Sequence, residues 1–464
     1  MTRCFRLALS WLCVALVAIA GTAQPGPAPR RNILLLIGDD HGLEAGCYGN
    51  PVIRTPHLDR LAREGVRFAN AFSTVASCSP SRSVIYTGLF IHTNGQYGLA
   101  HPPHKQSTGR QIPSLPALLN ARGYRTAVIG KLHVEPPEVY PFGQVLPSAG
   151  GNRDVATMAQ RARQFFAASD QPFCLVVGFS DPHRAGAGFA NDRTFPEVET
   201  IRYRPEEVIV PPFLPDSPEV RRDLAEYYTA VSRLDQGIGS MIRALEETGK
   251  LDETLVIYTS DNGMPFPGAK TNLYDAGIHL PLIVRAPEQR ERGVVNEAMV
   301  SWVDLLPTLL EWAGVPPPTG LPGRSLLPIL ATRRPAGWDT IFASHVFHEI
   351  TMYYPMRAIR TRQHKLIWNL AHELPFPHAS DLWGSPTWQH IRRRADGRMG
   401  SRTVAQYLQR PEFELYDVVA DPHELRNLAG DPACASVLAD LRTRLRQWME
   451  ETRDPWLQPI QRER

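Results

Sequence analysis

The chain has 464 residues, with 50 Lys and Arg against 47 Asp and Glu, 43% hydrophobic and 21% charged side chains. That mix excludes low-hydrophobicity disorder and collagen-like or coiled-coil composition, and a formal net charge of +3 gives no electrostatic case for a nucleic-acid partner. Length is consistent with roughly two to three domains or one large α/β domain with an appendage, and 42 prolines predict many shaped loops.

The N-terminus reads as a signal peptide over residues 1–23. Arg3 and Arg6 form a basic region, Leu7 to Ile19 an apolar region interrupted by Ser10, and Gly21-Thr22-Ala23 a small-residue cleavage site. The expectation is an exported protein, periplasmic or secreted, without a stable membrane span, since no later stretch approaches the ~18–20 apolar residues a span needs. Cys47, Cys78, Cys174 and Cys434 then remain. They are scattered, with no CxxC pair, and do not resemble a disulfide framework.

Four short apolar runs have the length of buried parallel strands: Asn32–Ile37, Thr126–Ile129, Phe173–Phe179 and Thr254–Thr259. Helical patterns lie between them: His57–Glu64 after Thr55-Pro56, Ser114–Gly123, and the long Ser217–Glu247, with Ser217 as N-cap, Pro218 in the first turn and Gly249 as the stop. Strands alternating with helices predict a doubly wound α/β sheet. After Ala313 the texture turns to Pro- and Gly-containing loop, which places a boundary near residue 335. Beyond it, Thr340–Ser344, Met356–Arg360 and Lys365–Asn369 read as strands and Ala435–Glu450 as a helix, predicting a smaller α+β domain with an antiparallel sheet. The expected organisation is a catalytic domain over 24–335 and a C-terminal domain over 336–464.

The four apolar runs end alike. Gly38-Asp39-Asp40-His41, Gly130-Lys131-Leu132-His133, Ser180-Asp181-Pro182-His183 and Ser260-Asp261-Asn262-Gly263 all bring Asp, His, Lys or Asn to one rim, where doubly wound sheets collect their chemistry. Asp39, Asp40, Asp261 and Asn262 are hard oxygen ligands suited to Ca²⁺ or Mg²⁺. Adjacent carboxylates at ~4 Å repel by ~4 kcal/mol at an effective dielectric near 20, and a divalent cation reverses that sign. Lys131, His133, His183, Lys270 and Arg82 add positive charge suited to a tetrahedral oxyanion such as sulfate or phosphate. Read structurally alone, Cys78 is a buried thiol in a Ser-rich turn.

Cys78–Gly88, C-S-P-S-R-S-V-I-Y-T-G, resembles the sulfatase motif C-x-P-S-R-x-x-L-x-T-G, and Gly123–His133 resembles the second motif of that family, with slight departures at Tyr86 and Leu132. The resemblance extends along the mature chain. His92–Leu99, Pro137–Phe142, Asp181–Arg184, Pro265–Pro267, Thr271–Tyr274, His348–Arg357 and Thr452–Trp456 look like the sulfamidase branch, the N-sulfoglucosamine sulfohydrolases. Lys270 departs, because sulfamidases carry Arg there while other sulfatases use Lys; charge survives but bidentate geometry does not.

The resemblance implies an alkaline-phosphatase-like fold. It also implies that Cys78 is converted before folding to formylglycine (3-oxoalanine) by a formylglycine-generating enzyme, and that Asp39, Asp40, Asp261, Asn262 and the modified side chain hold Ca²⁺. Lys131, Arg82 and Lys270 would neutralise sulfuryl oxygens and His183 or Lys270 would protonate the leaving group. His133 would take the proton that frees sulfate. The implied substrate is a terminal N-sulfated glucosamine of heparan-type chains, with Arg184, His348, Glu349 and Arg357 as candidate sugar-binding residues. A homodimer is admitted. The alternatives are an O-sulfatase on another sulfated glycan or an aryl sulfate, a phosphonate or phosphate-ester hydrolase, and a non-catalytic sulfoglycan-binding protein.

Overall fold

A computed structural model describes residues 31–148 and 151–457; the signal-peptide reading falls on residues outside this range. Among the described residues, eight strands form the larger sheet: β1 (Asn32–Gly38), β2 (Val66–Phe72), β3 (Arg125–Gly130), β4 (Gln144–Leu146), β5 (Phe173–Gly178), β6 (Thr254–Ser260), β7 (Leu282–Arg285) and β8 (Val294–Ser301). Their spatial order is β4-β3-β5-β1-β6-β7-β2-β8. The four strands read from the sequence are β3, β5, β1 and β6, four neighbours at the centre of the sheet, all parallel. β7 runs antiparallel to both β6 and β2.

β1 shows why this centre is stable. All seven of its residues are buried, and successive side chains enter opposite layers. Leu34 and Leu36 join Leu58, Leu61, Ala162, Leu234 and Met241 on one face. Ile33, Leu35 and Ile37 join Val84, Ile85, Leu115, Leu305 and Leu309 on the other. Each of these aliphatic side chains on β1 is fully buried and contributes roughly 1.5–3 kcal/mol.

The long helix spans Pro218–Glu247, with the Ser217 side chain accepting from the Val220 N–H at its start. Gly237 and Gly239 interrupt its apolar stripe at about 1 kcal/mol each relative to Ala. A Cβ on Gly239 would lie 2.4 Å from the His57 ring, and one on Gly237 2.7 Å from Val155. Both glycines therefore let neighbouring helices approach.

The C-terminal region forms an antiparallel sheet. After β9 (Thr340–His345), β10 (Met356–Thr361) and β11 (His364–Asn369) comes a small ribbon of β12 (Arg398–Met399) and β13 (Arg402–Thr403), then β14 (Phe413–Asp417); the sheet order is β14-β11-β10-β9. One face, with Ile341, Ala358 and Ile367, packs with Phe72, Tyr227 and Tyr274 of the larger part. The other is covered by the helix Ala435–Glu451, whose Trp448 stacks on Phe342 with centroids 5.0 Å apart and meets Phe90 edge-on at 5.0 Å. Among the described residues no helix is long and apolar enough to cross a membrane.

Candidate active site

The carboxyl ends of β3, β5, β1 and β6 are laced together by their backbones. Asp39 N–H donates to Asp181 O at 3.0 Å, Lys131 N–H to Gly178 O at 2.7 Å, and Asp261 N–H to Gly38 O at 3.2 Å. Four segments distant in sequence thus deliver their polar residues to one rim. Asp40 turns sharply there with φ of 67°, a conformation Asp tolerates better than most residues. Its N–H donates to Asp261 Oδ1 at 3.1 Å and its carbonyl accepts from Tyr227 OH at 3.1 Å.

Three buried carboxylates and their cations meet at this rim. Lys131 Nζ donates to both oxygens of Asp39, at 2.8 and 2.7 Å. Arg82, fully buried, donates from Nε to Asp261 Oδ2 and from Nη1 to Lys131 O, both at 2.9 Å, while Nη2 makes no hydrogen bond. Lys270 Nζ donates to Asp40 Oδ2 at 2.9 Å. Burial pushes the Asp39 carboxyl up, yet Lys131, His183, Arg82 and Lys270 outweigh it and hold the group well below the usual range. Asp261 goes the other way: burial raises it, Arg82 opposes, and Asp39 adds to the rise.

Cys78 lies beneath this cluster, not in a turn but as the first residue of a ten-residue helix, Cys78–Thr87. Its Sγ is 3.9 Å from Asp40 Oδ1. Burial drives the thiol well above its ordinary pKa despite Lys131 and Lys270 nearby, so it stays protonated. Ser77 Oγ, one residue earlier, is 2.9 Å from His348 Nδ1.

On the outer side stand Lys270, His183 and Asp381. His183 Nδ1 is 2.7 Å from Arg184 O, so that nitrogen is the donor, and Nε2 faces Lys270 Nζ at 3.1 Å. Asp381 Oδ2 accepts from Lys270 Nζ at 2.7 Å. Burial lowers the Lys270 pKa, but Asp381 and Asp40 reverse this and hold it well above its usual value, keeping it charged. His133 closes the opposite flank, with Nε2 2.8 Å from His101 Nδ1 and Nδ1 buried without a partner. Burial, then Lys131 and Arg82, push His133 far down, so it is neutral.

Asp39, Asp40, Cys78, Arg82, Lys131, His133, His183, Asp261, Asn262 and Lys270 all meet at this one rim. Glu349, with Oε1 accepting from Ser380 N–H at 2.8 Å, and His348 border it. The two arginine candidates are paired with carboxylates within the chain. Arg184 is buried and gives two hydrogen bonds to Asp223, at 2.9 and 2.8 Å, plus one to Pro265 O at 3.0 Å. Arg357 is likewise buried, paired with Asp454 through Nε and through Nη2 at 2.8 Å, with Trp456 below its guanidinium. Both guanidiniums are engaged in pairs within the chain. Asp381 and His101 were not foreseen; neither sits in a periodic segment or beside a strand end.

The donor set fits a hard divalent cation. Ligand atoms of Asp39, Cys78 and Asp261 lie within 4.8 Å of one another, as do those of Asp40, Cys78 and His183. Asn262 donates from Nδ2 to Asp40 Oδ1 at 2.7 Å, while its Oδ1 is buried with no hydrogen-bond partner. An orphaned buried acceptor beside three carboxylates is what an oxygen-ligated cation satisfies.

The sulfatase family model matches residues 31–315, and the model of the N-sulphoglucosamine sulphohydrolase C-terminal domain matches residues 269–375. The chain is 42% identical to human N-sulphoglucosamine sulphohydrolase, across 96% of its own length and 94% of the relative's. A solved structure of a protein in complex with its substrate D-glucosamine-2-N,6-O-disulfate superposes with a TM-score of 0.69 at 22% identity, covering 94% of this chain and all of the other. A phosphonate monoester hydrolase of Agrobacterium radiobacter superposes at 0.68 and 19% identity, over 91% and 96%. These likenesses bear out the expected alkaline-phosphatase-like doubly wound sheet with its smaller antiparallel sheet. The chain belongs to the sulfatase family and is a hydrolase of sulfate esters or sulfamates.

Proposed function

We propose that the protein removes the N-sulfo group from terminal glucosamine residues of heparan-type glycans, with formylglycine formed at Cys78 and Ca²⁺ held by Asp39, Asp40, Asp261, Asn262 and the side chain at 78. The observation that carries this reading is the 42% identity to human N-sulphoglucosamine sulphohydrolase over 96% of the chain, which runs through the C-terminal region as well as the core. The protonated state of the buried Cys78 thiol supports it, because an unmodified thiol there is a poor nucleophile. The reading includes export, a catalytic domain over 24–335, a C-terminal domain over 336–464, and maturation of Cys78 by a formylglycine-generating enzyme before folding.

Held by Asp39, Asp40, Asp261 and Asn262, a divalent cation would supply Lewis-acid stabilisation of sulfuryl oxygens, and a formylglycine at position 78 would supply a hydrated-aldehyde nucleophile with two hydroxyls. The chain's own residues do the rest. Arg82, whose Nη2 makes no hydrogen bond and lies 3.7 Å from Asp39 Oδ1, and Lys131 place positive charge against the sulfo oxygens. Lys270 Nζ and His183 Nε2 share a proton across 3.1 Å and deliver it to the leaving nitrogen. His133, neutral, accepts a proton at its free Nδ1.

The test is sulfate release from N-sulfoglucosamine and from glucosamine 6-sulfate by protein whose residue 78 is shown by peptide mass to be converted. A larger kcat/KM on the sulfamate supports the reading; turnover of the ester with none of the sulfamate refutes it.

A further inference from the structure

We propose that Asp381 is the residue that selects an N-sulfo over an O-sulfo group, by accepting a hydrogen bond from the sulfamate nitrogen. The inference deepens the reading above and rests on it. Asp381 sits in a short helix, Ser380–Trp383, of the C-terminal region, pinned by the Ser380 N–H donated to Glu349 Oε1. Its Oδ2 takes a hydrogen from Lys270 Nζ at 2.7 Å and lies 3.7 Å from His183 Nε2. These are the two groups that serve the leaving atom. The Asp381 side chain is 17% exposed while that of Lys270 is 0% exposed, so the carboxylate is the member of the pair that reaches solvent.

Oδ1 accepts only the N–H of Leu382, at 2.8 Å, and each carboxylate oxygen has capacity for a further donor. Asp39, Asp40 and Asp261 belong to the cation cluster, whereas Asp381 does not, and it touches none of them. A sulfamate linkage carries a hydrogen on the atom that leaves; a sulfate ester carries lone pairs there. Facing Asp381, the first donates a charge-assisted hydrogen bond and the second meets like partial charge. A carboxylate at this place therefore favours nitrogen, and Lys270 keeps that carboxylate ionised: burial raises the Asp381 pKa, but Lys270, His183 and His348 pull it far below the usual range.

The experiment compares kcat/KM for N-sulfoglucosamine and glucosamine 6-sulfate in the wild type, Asp381→Asn and Asp381→Glu. Asn keeps the size and presents a donor to an ester oxygen. The expected result is a fall of about 10- to 100-fold in the sulfamate-to-ester ratio for Asp381→Asn, the value of one charge-assisted hydrogen bond, with Asp381→Glu closer to wild type. Both substrates are measured on one preparation, so loss of folded protein cancels in the ratio. Equal losses on both substrates overturn the proposal alone and leave Asp381 as a support for Lys270. A wild type that turns over the ester but not the sulfamate overturns the N-sulfo reading, and the proposal with it.

Discussion

Arg357 and Asp454 separate structural from substrate-binding arginines. Both side chains are 0% exposed, and among the described residues the carboxylate is the only acidic partner of the guanidinium. Asp454→Ala leaves a buried cation facing only the carbonyls of His345 and Met356, at 3.2 and 2.9 Å. Removing one partner of a fully buried pair costs about 3–5 kcal/mol. An unfolding entropy of about 2.1 cal/mol/K per residue gives about 1 kcal/mol per °C for a chain of 464 residues, so the melting temperature should drop by about 3–5 °C if the chain melts as one unit. Calorimetry measures that drop, and steady-state assays well below the transition should give wild-type kcat and KM. An unchanged melting temperature with a raised KM would refute the assignment, because it would mean that the guanidinium serves the sugar. The double variant Arg357→Met with Asp454→Leu should recover much of the loss, since a well-packed apolar pair replaces buried charges at little cost.

Chelation of divalent cations should lower both turnover and melting temperature, with Ca²⁺ at about 100 times its Kd restoring about 2.7 kcal/mol; stability indifferent to Ca²⁺ would remove the cation from Asp39, Asp40, Asp261 and Asn262. Lys270→Ala should reduce kcat on the sulfamate by about 10²- to 10⁴-fold but much less on an aryl sulfate, whose leaving group needs no proton; equal losses would exclude Lys270 as the acid. Cys78→Ser should release at most one sulfate per protein, because serine lacks the second hydroxyl, and steady turnover by it would sink the formylglycine reading. Burial holds His92 down to about 4, His345 and His378 down to about 3, against about 6.5 unfolded. Below that value the unfolded chain binds the additional protons, so these three rings take stability away as pH drops from about 6.5 toward 4, opposed by the buried carboxyls of Glu44, Asp235 and Glu424, which burial holds up to about 7. NMR titration of the three rings measures this directly, and protonation of all three near pH 6.5 in the folded protein would show that they are not buried neutral.

Much of the catalytic rim was legible because its residues follow directly on buried apolar runs. β3, β5, β1 and β6 carry continuous aliphatic stretches, and the residues after each are the ones that meet. The flanking half of the sheet was not legible. β2 reads VRFANAF and β8 reads VVNEAMVS, both ambiguous in period, and β7 is only four residues long. Asp381 was hidden for another reason: its partner Lys270 is 111 residues away, and no local pattern encodes such a contact. The same distance effect hid the carboxylate partners of Arg184 and Arg357. An arginine beside a motif looks like a ligand-binding group until its carboxylate, 39 or 97 residues off, is found opposite it.

The edge-on packing of Trp448 against Phe90 and His92 joins the segment just past the Cys78–Thr87 helix to a helix late in the chain. Synthesis is vectorial, at about 5–20 residues per second. Residue 90 therefore waits some tens of seconds for residue 448 to leave the ribosome. During that interval the segment after the Cys78–Thr87 helix lacks its closing aromatic, which under the proposed reading leaves time for maturation of Cys78 before the layer is sealed. The aromatic clasp thus acts as a clock: a chain ending ahead of residue 435 would keep every residue of the cation cluster and yet never complete the layer.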